Sequence, residues 1–546
     1  MKTNYQKLIY IILFVLLVNF LGSKFYARFD LTKDKRYSLS TSTKELLQKV
    51  DNNIIVKVYL KGAFPAEFKR LQIETQLQLE EFKAINKNIQ FRFINPSEIG
   101  EALINEGLEP SRLQVQEQGK WSEIVIFPWA VVSSKNKTEK VPLLKDIVSK
   151  TQNEQLESSI ENLEYAFANA IHKVTSKKTK KIAILKGNGE LNDAYLADFL
   201  KNLGAYYKLA PFTLDSVKTN PQKTFNQLKH FDLAIIAKPT EKFTEEEKFT
   251  LDQFIIQGGK TLWTIDNTVA ELDSLMQTGE SLAYPRDLNL TDLFFSYGLR
   301  INTSIVADLY ADVIPLATGN IGGKTQFNTF LWQYYPILSS TNNHPINNNI
   351  EAVNVKFANG IDTLKNSIKK TVLLQSSNLS KLIATPSIIS LKTITQKPNK
   401  EEYNLGNKPI AVLLEGTFKS AYSNRIKPLN LKPAKNIGIP TKMVVIADGD
   451  IIANDVVKGK PLTLGINKWT QQQFGNKEFL LNTVNYLLDD TGLISVRSKT
   501  VEIDFLNKQK AFEEAAKWQL LTIIFPLILL AVYGFVFNFF RRKKYS

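Results

Sequence analysis

The chain has 546 residues, enough for two to four domains, and its ordinary glycine and proline usage argues against collagen or wholesale disorder. It contains no cysteine, which excludes disulfides, thiolate metal sites, cysteine nucleophiles and C-x-x-C redox work. The formal charge of +16 is spread along the chain among acids, and no RNP motif, zinc finger or basic helix accompanies it, so no nucleic-acid partner is expected.

The first apolar run is Leu8 to Gly22, about 22 Å long as a helix, bracketed by Lys7 and Lys24. A cleavable signal peptide has the same outline, but the following SKFYARFDL holds no small-x-small cleavage site. Residues 1–24 are therefore expected to be an uncleaved membrane anchor.

Residues 25–175 read as a first α/β domain. Ile54, Val56, Val58 and Leu60 alternate as one side of a strand. Pro65 then opens a helix with Phe68, Leu71, Leu79 and Phe82 at helical spacing, and Ile89, Phe91 and Phe93 mark a second strand. EIVIFPWAVVSS and TEKVPLL follow as two strands around the polar turn Lys135–Lys137. A helix with Leu156, Ile160, Leu163, Phe167 and Ile171 closes the region. A parallel β-α-β unit, a hairpin and a helix make a thioredoxin-like order, without the cysteines for redox chemistry.

After the basic linker Ser176–Lys181, residues 176–500 read as a larger flavodoxin-like or amidotransferase-like domain built on a doubly wound parallel sheet. Strand IAIL leads through Lys186-Gly187-Asn188-Gly189-Glu190 into a helix from about Asn192 to Leu203. FDLAIIAKP is the next strand. Thr244 and Glu247 form a capping box on a helix whose inward stripe is Leu251, Phe254 and Ile255. TLWTID, TVLLQSS, PIAVLLEG and MVVIADGD are further strands, and FGNKEFLLNTVNYLLDD is a helix. The stretch Asn320–Asn349 and the basic excursion Ser423–Lys435 read as loops.

A juxtamembrane helix is expected over 501–517, then a second span at Trp518–Phe540, 23 residues without a formal charge and about 34 Å long. The basic patch Arg541–Lys544, in the tail 541–546, places the C-terminus in the cytoplasm, and two spans place the N-terminus there too. The main domains then lie in the periplasm, with membrane lipid as a partner. Lys24, Arg28, Lys33, Lys35 and Arg36 oppose this orientation, although long exported domains cross despite such charge.

Candidate sites are few. Gly187, Asn188, Gly189 and Glu190 occupy a strand-to-helix turn where open α/β sheets bind ligands. The turn lacks the third glycine of a dinucleotide fingerprint and is no P-loop, so glycines easing a tight turn is the favoured reading. Asp448 and Asp450 end a strand near Asp455 but fail the EF-hand spacing. With Asp266 they are ligand candidates at the strand ends. Catalytic, metal and cofactor residues are expected to be none: there is no G-x-S-x-G elbow, His172, His230 and His344 lie too far apart for a local two-histidine metal motif, and His344 has no evident Ser or Asp partner. In the second span, Trp518, Thr522, Gly534 and Asn538 are candidates for contact with a membrane partner.

The segments RFDLTKDKRYSLSTSTKELL, VYLKGAFPAEFKRL, KIAILKGNGEL, LFFSYGLRI, AVLLEGTFKSAYSNR, ADGDII and FGNKEFLLNTVNYLLDDTGLISVRS resemble, in the same order, the GldG family. These are gliding-motility auxiliary components of ABC transporters in Bacteroidota. The resemblance implies a membrane-anchored, non-catalytic accessory subunit that works with a separate permease and ATPase. It also implies a second domain related to one in intraflagellar-transport proteins. Many relatives carry histidine where this chain has Asn188, so chemistry resting on that histidine is missing here. The alternative is a doubly tethered solute-binding subunit with a small ligand at the strand-end crevice. A hydrolase using the Asp448 loop is a third, weaker reading.

Overall fold

The computed structural model describes residues 10–19, 38–62, 64, 66–117, 120–145, 151–176, 178–340, 342–498 and 513–545. They fall into two compact units, Met1–Lys499 and Thr500–Ser546. In the first, helix α1 covers Tyr10–Asn19; the rest of the Leu8–Gly22 run lies outside the described residues.

The N-terminal lobe begins with α2 (Thr41–Gln48), capped where the Ser40 hydroxyl accepts from Thr43 N. The order β1 (Ile54–Val58), α3 (Ala66–Ile85), β2 (Ile89–Phe93) follows the expected β-α-β unit, and β1 and β2 pair in parallel. The alternation works as the pattern requires: Ile54, Val56 and Val58 are buried while Ile55 is 46% exposed. Each such burial contributes about 1.5–3 kcal/mol. Helix α4 (Gly100–Asn105) precedes β3 (Ser111–Glu117) and β4 (Lys120–Ile126), which pair with each other in a separate hairpin. EIVIFPWAVVSS is thus two strands. The chain breaks at Phe127-Pro128, because proline has no N–H for a ladder, and resumes as β5 (Trp129–Ser134). With β6 (Lys137–Pro142) the main sheet has the order β2-β1-β5-β6. Helix α5 (Gln152–Thr175), started by a full capping box of Thr151 and Glu154, packs on α3 through Phe167 and Phe82, whose rings stand edge to face at 6.5 Å.

The second lobe is built on β7 (Lys181–Lys186), α6 (Asp193–Gly204), β8 (Lys208–Thr213), α7 (Pro221–Leu228), β9 (Leu233–Ala237), α8 (Glu245–Ile256) and β10 (Lys260–Thr264). Strand β8 and helix α7 were not visible as a pattern: Pro211 interrupts β8, which is tolerated because β8 is the edge strand. Helix α8 has the expected capping box, and Leu251, Phe254 and Ile255 lie in the core as expected, but burial extends beyond that stripe. Every residue from Glu247 to Ile256 is buried, because the loop over residues 420–436 folds over its outer side. There Asp252 accepts from Ser420 Oγ at 2.6 Å, Ala421 N at 2.9 Å and Tyr297 OH at 2.8 Å.

Between β10 and the last strands an antiparallel layer intervenes. It contains β11 (Thr268–Val269), α9 (Leu272–Thr278), β12 (Glu280–Pro285), α10 (Thr291–Tyr297) and β13 (Leu299–Asp308). Next comes a long hairpin of β14 (Ala311–Ile321) and β15 (Lys324–Leu338), then β16 (Val353–Asn354) and β17 (Asn359–Thr363). The expected loop at Asn320–Asn349 is therefore largely strand: Gly322-Gly323 is only the hairpin turn, and both adopt left-handed φ.

Strands β18 (Lys369–Gln375), β19 (Ser380–Ile383), β20 (Ser387–Ser390), β21 (Pro409–Lys419) and β22 (Ile437–Ile446) complete the sheets. The large sheet has seven strands in the order β18-β21-β22-β10-β9-β7-β8. It is mixed, not wholly parallel: β22-β10-β9-β7-β8 run parallel, whereas β21 is antiparallel to both its neighbours, β22 and β18. The cause is the connection. No crossover helix separates β21 from β22, only the loop that contains Ser423–Lys435, and without a crossover a neighbour must be antiparallel. Both faces are covered: Leu185, Trp263 and Phe254 belong to one core, while Ile184, Leu262, Phe199 and Val484 of α11 (Asn476–Leu488) belong to the other.

The lobes are tied together by Glu478 on α11, which bonds Lys145 of the N-terminal lobe at 2.8 Å and Arg497 at 3.2 Å. Lys145 also donates to Asn349 O at 2.5 Å.

In the second unit, α12 runs from Ala515 to Tyr545. Its Ala515–Lys543 stretch has a mean hydropathy of 2.6 and is long and apolar enough to span a membrane. The juxtamembrane helix expected over 501–517 lies mostly outside the described residues.

Candidate functional site

The C-terminal ends of β7, β9, β10 and β22 converge on one edge of the large sheet. This is the edge where open α/β folds place ligands. The structure brings Asp266, Asp448 and Asp450 together there, around a residue the sequence reading passed over, Lys238. It directly follows β9 with a left-handed φ of 51° and is 6% exposed. Its Nζ lies 2.7 Å from Asp450 Oδ1, 3.2 Å from Glu271 Oε1 and 3.5 Å from Asp266 Oδ2. No local signal marks it, since a lysine that follows five apolar strand residues and precedes Pro239 ordinarily faces water.

Hydrogen bonds fix each carboxylate. Asp266 Oδ1 accepts from Gly449 N at 2.5 Å, while Asp448 accepts from Asp450 N at 2.8 Å and Lys356 N at 3.0 Å. Burial pushes the Asp266 carboxyl up to about 6, with Lys238 pulling the other way. Burial, then the charges of Asp266 and Asp450, push Asp448 well above the usual carboxylate range. Burial works to lower the Lys238 pKa, but Asp450, Asp266 and Glu271 together outweigh it and raise it. The cluster is a charged latch joining three strand ends. Asp455 stands apart, paired with Lys468 at 3.4 Å, and among the described residues no group of three or more His, Asp or Glu side chains is arranged to hold a metal ion.

The glycine turn flanks the other side of the same loop. Asn188 O accepts from Thr240 N at 3.0 Å and Glu241 N at 2.9 Å, and Asn188 Nδ2 donates to Glu247 Oε2 at 3.2 Å. Gly187 and Gly189 have φ of 116° and 70°. A Cβ on Gly189 would stand 2.1 Å from Thr240 Oγ1, and one on Gly187 2.7 Å from Asp215 Oδ1. The glycines are there because the chain packs against them. Glu190 Oε2 accepts from Asn188 N at 2.8 Å, whereas its buried Oε1 has no partner among the described residues.

The histidines divide. His344 lies against Tyr486 with ring centroids 4.8 Å apart, and burial pushes its pKa down to about 4. His172 lines a cavity between the lobes, at the other end of the sheet.

On α12 the four membrane candidates do not share a face. At about 100° per residue, Gly534 and Asn538 are neighbours, but Thr522 stands about 160° round the helix from Asn538. Thr522 Oγ1 is also satisfied within the helix, donating to Trp518 O at 2.9 Å. Nothing lies within 4 Å of a Cβ added at Gly534.

Two family models match the chain. One, over residues 33–133, is described as a domain of unknown function (DUF7088). An uncharacterized protein of Borreliella burgdorferi is 24% identical over 540 residues, covering 95% of this chain and 94% of the relative. Among solved structures, the mmIFT52 N-terminal domain is similar at 13% identity with a TM-score of 0.32, covering 57% of this chain and 99% of that one. The other model, described as an ABC-type uncharacterized transport system, matches residues 179–483, which is over half of the chain and includes all seven strands of the large sheet. The chain belongs to this family of ABC-transport auxiliary proteins.

Proposed function

We propose that the chain is a non-catalytic accessory subunit of an ABC transporter, anchored in the cytoplasmic membrane and working with a separate permease and ATPase. The observation that carries this reading is the family match over the second lobe in a chain that also holds a helix fit to span a bilayer. No G-x-x-x-x-G-K-[ST] sequence is present, so ATP hydrolysis belongs to another chain.

In finer detail we assign it to a GldG-like complex of gliding motility in Bacteroidota, on the ordered resemblance of its segments. Two spans, both termini cytoplasmic and periplasmic domains over 25–175 and 176–500 follow from the anchor at 1–24 and the basic patch Arg541–Lys544. We read the first domain as thioredoxin-like and the second as flavodoxin-like. The contact with the permease is placed on the Gly534 and Asn538 side of α12, where a small residue admits a close neighbour. The outer lobes then receive the permease's ATP-driven movement.

The experiment is a mild-detergent pull-down of the tagged full-length chain from its native membrane, read by mass spectrometry. Permease and ATPase recovered in fixed ratio support the reading. The chain recovered alone, with both proteins present in the membrane, overturns it.

A further inference from the structure

The hairpin of β14 and β15 projects from the second lobe as an arm. Residues 317–320 and 325–329 are all exposed, with Phe327 at 61% and, nearer the base, Leu331 at 64%. Over 325–331, β14 is the one strand beside β15 among the described residues, because β16 meets β15 at Ile337 and Leu338 alone. A two-stranded ribbon is marginal in water, and further strands that share an apolar face are what stabilise it.

The two edges of the arm differ. Proline, bulges and charge are the devices that keep an edge strand from pairing further. Strand β14 carries two of them: Pro315, which has no N–H, and an extra residue at Thr318, where the register shifts between Ala317 and Gly319. Strand β15 carries none from Thr325 to Leu331. Its residues there pair with β14 without a skip, and Lys324, beside the turn, is the only Asp, Glu, Lys or Arg between Asp312 and Glu351.

We propose that the open edge of β15 pairs with β15 of a second copy of this chain, antiparallel about a two-fold axis at Asn328, to make a four-stranded sheet. Asn328 is the midpoint of 325–331, so this register uses the whole open stretch. Thr325 then faces Leu331 of the other copy, Gln326 faces Phe330, and Phe327 faces Thr329. Side chains alternate along a strand, so Phe327 and Leu331 share a face. Each Phe327 stands diagonal to Phe327 and Leu331 of the other copy, within reach of an aromatic side chain. The added strand takes the side of β15 on which β16 already sits, and its turn falls opposite Gln333, short of β16. A strand that pairs with itself sets like against like, which a charged edge resists and this uncharged one does not. The same lack of charge offers nothing to a charged partner, and two-fold pairing is the commonest assembly of identical chains. The inference does not rest on the transporter reading.

The test uses the full-length chain, whose lack of cysteine leaves an introduced thiol without rivals. A residue on the two-fold axis faces its own copy, so Asn328→Cys should oxidise to a disulfide-linked dimer in the native membrane. Asn320→Cys, on β14, should stay unlinked. Light scattering of the wild type in mild detergent should show a monomer–dimer equilibrium that shifts with concentration. Asn328→Lys sets two cations against each other and should weaken that association about fivefold, with an unchanged Tm for the monomer. A wild type that is monomeric at every concentration overturns the proposal. So does an Asn328→Cys chain that stays unlinked or links to a different protein, or an association that Asn328→Lys leaves undiminished.

Discussion

The two edges of the large sheet are built on opposite plans. At the C-terminal strand ends, Lys238 is surrounded by Asp450, Glu271 and Asp266, and Gly189 is pressed against Thr240, so the protein fills its own crevice. At the N-terminal strand ends, the meeting of two lobes leaves a cavity of about 740 Å³. The rule that open α/β sheets bind ligands beyond their carboxyl strand ends holds for a domain whose loops leave that edge free. Here the loops carry a latch, and the meeting with the other lobe leaves the roomier cavity at the opposite edge.

The comparison can be broken most sharply at Lys238. Lys238→Met leaves three buried or half-buried carboxylates without their cation and should cost about 3–5 kcal/mol, read by denaturant unfolding. Gly189→Ala, strained by its φ and by Thr240, should cost about 2 kcal/mol. Thr240→Ala added to it should recover part of that loss, which a ligand-binding role for the turn does not predict. At the lobe junction, Glu478→Gln should cost about 1–2 kcal/mol and increase proteolytic cleavage between the lobes.

The pH dependence sharpens the contrast further. Burial works to raise the Glu478 pKa, but Lys145 and Arg497 outweigh it and hold the carboxyl below the usual range. Its stabilising share is present above a pH of about 4.3 and is lost as pH falls through the folded value. Asp266 has the opposite sign: its share is complete below a pH of about 3.9 and fades as pH rises through about 6. Asp266→Asn keeps an oxygen for Gly449 N and should flatten the Tm profile between those two values. The smallest effect on folding is expected from Gly534→Leu, which has open space around it and should leave Tm unchanged while reducing permease recovery.

Much of the fold was legible because its signals were local. The alternation at Ile54–Val58, the capping box at Thr244 and the glycine end of α8 each need only a few neighbouring residues. What stayed hidden depends on distant partners. Burial of α8 on every side comes from Ser420 and Ala421, far along the chain, and the reversed direction of β21 follows from the missing crossover before β22. The long hairpin was obscured because Asn, Gly and Pro composition reports the turn and not the paired strands beside it. In the candidate site, Asp266, Asp448 and Asp450 were readable as strand-end acids. Lys238, which gives them their role, was not, since a lysine after an apolar strand ordinarily faces water.

The pairing of Thr261 with Met443, and of Thr264 with Ile446, joins β10 to a strand that arrives only after the whole antiparallel layer. Until that loop closes, β10 presents a bare row of backbone donors and acceptors, and a chain cut anywhere before Ile437 keeps it bare for good. Late synthesis of β22 therefore sets the moment at which the nascent lobe stops being an aggregation hazard, and proteins truncated in this stretch should be found with chaperones or in inclusion bodies rather than in the membrane.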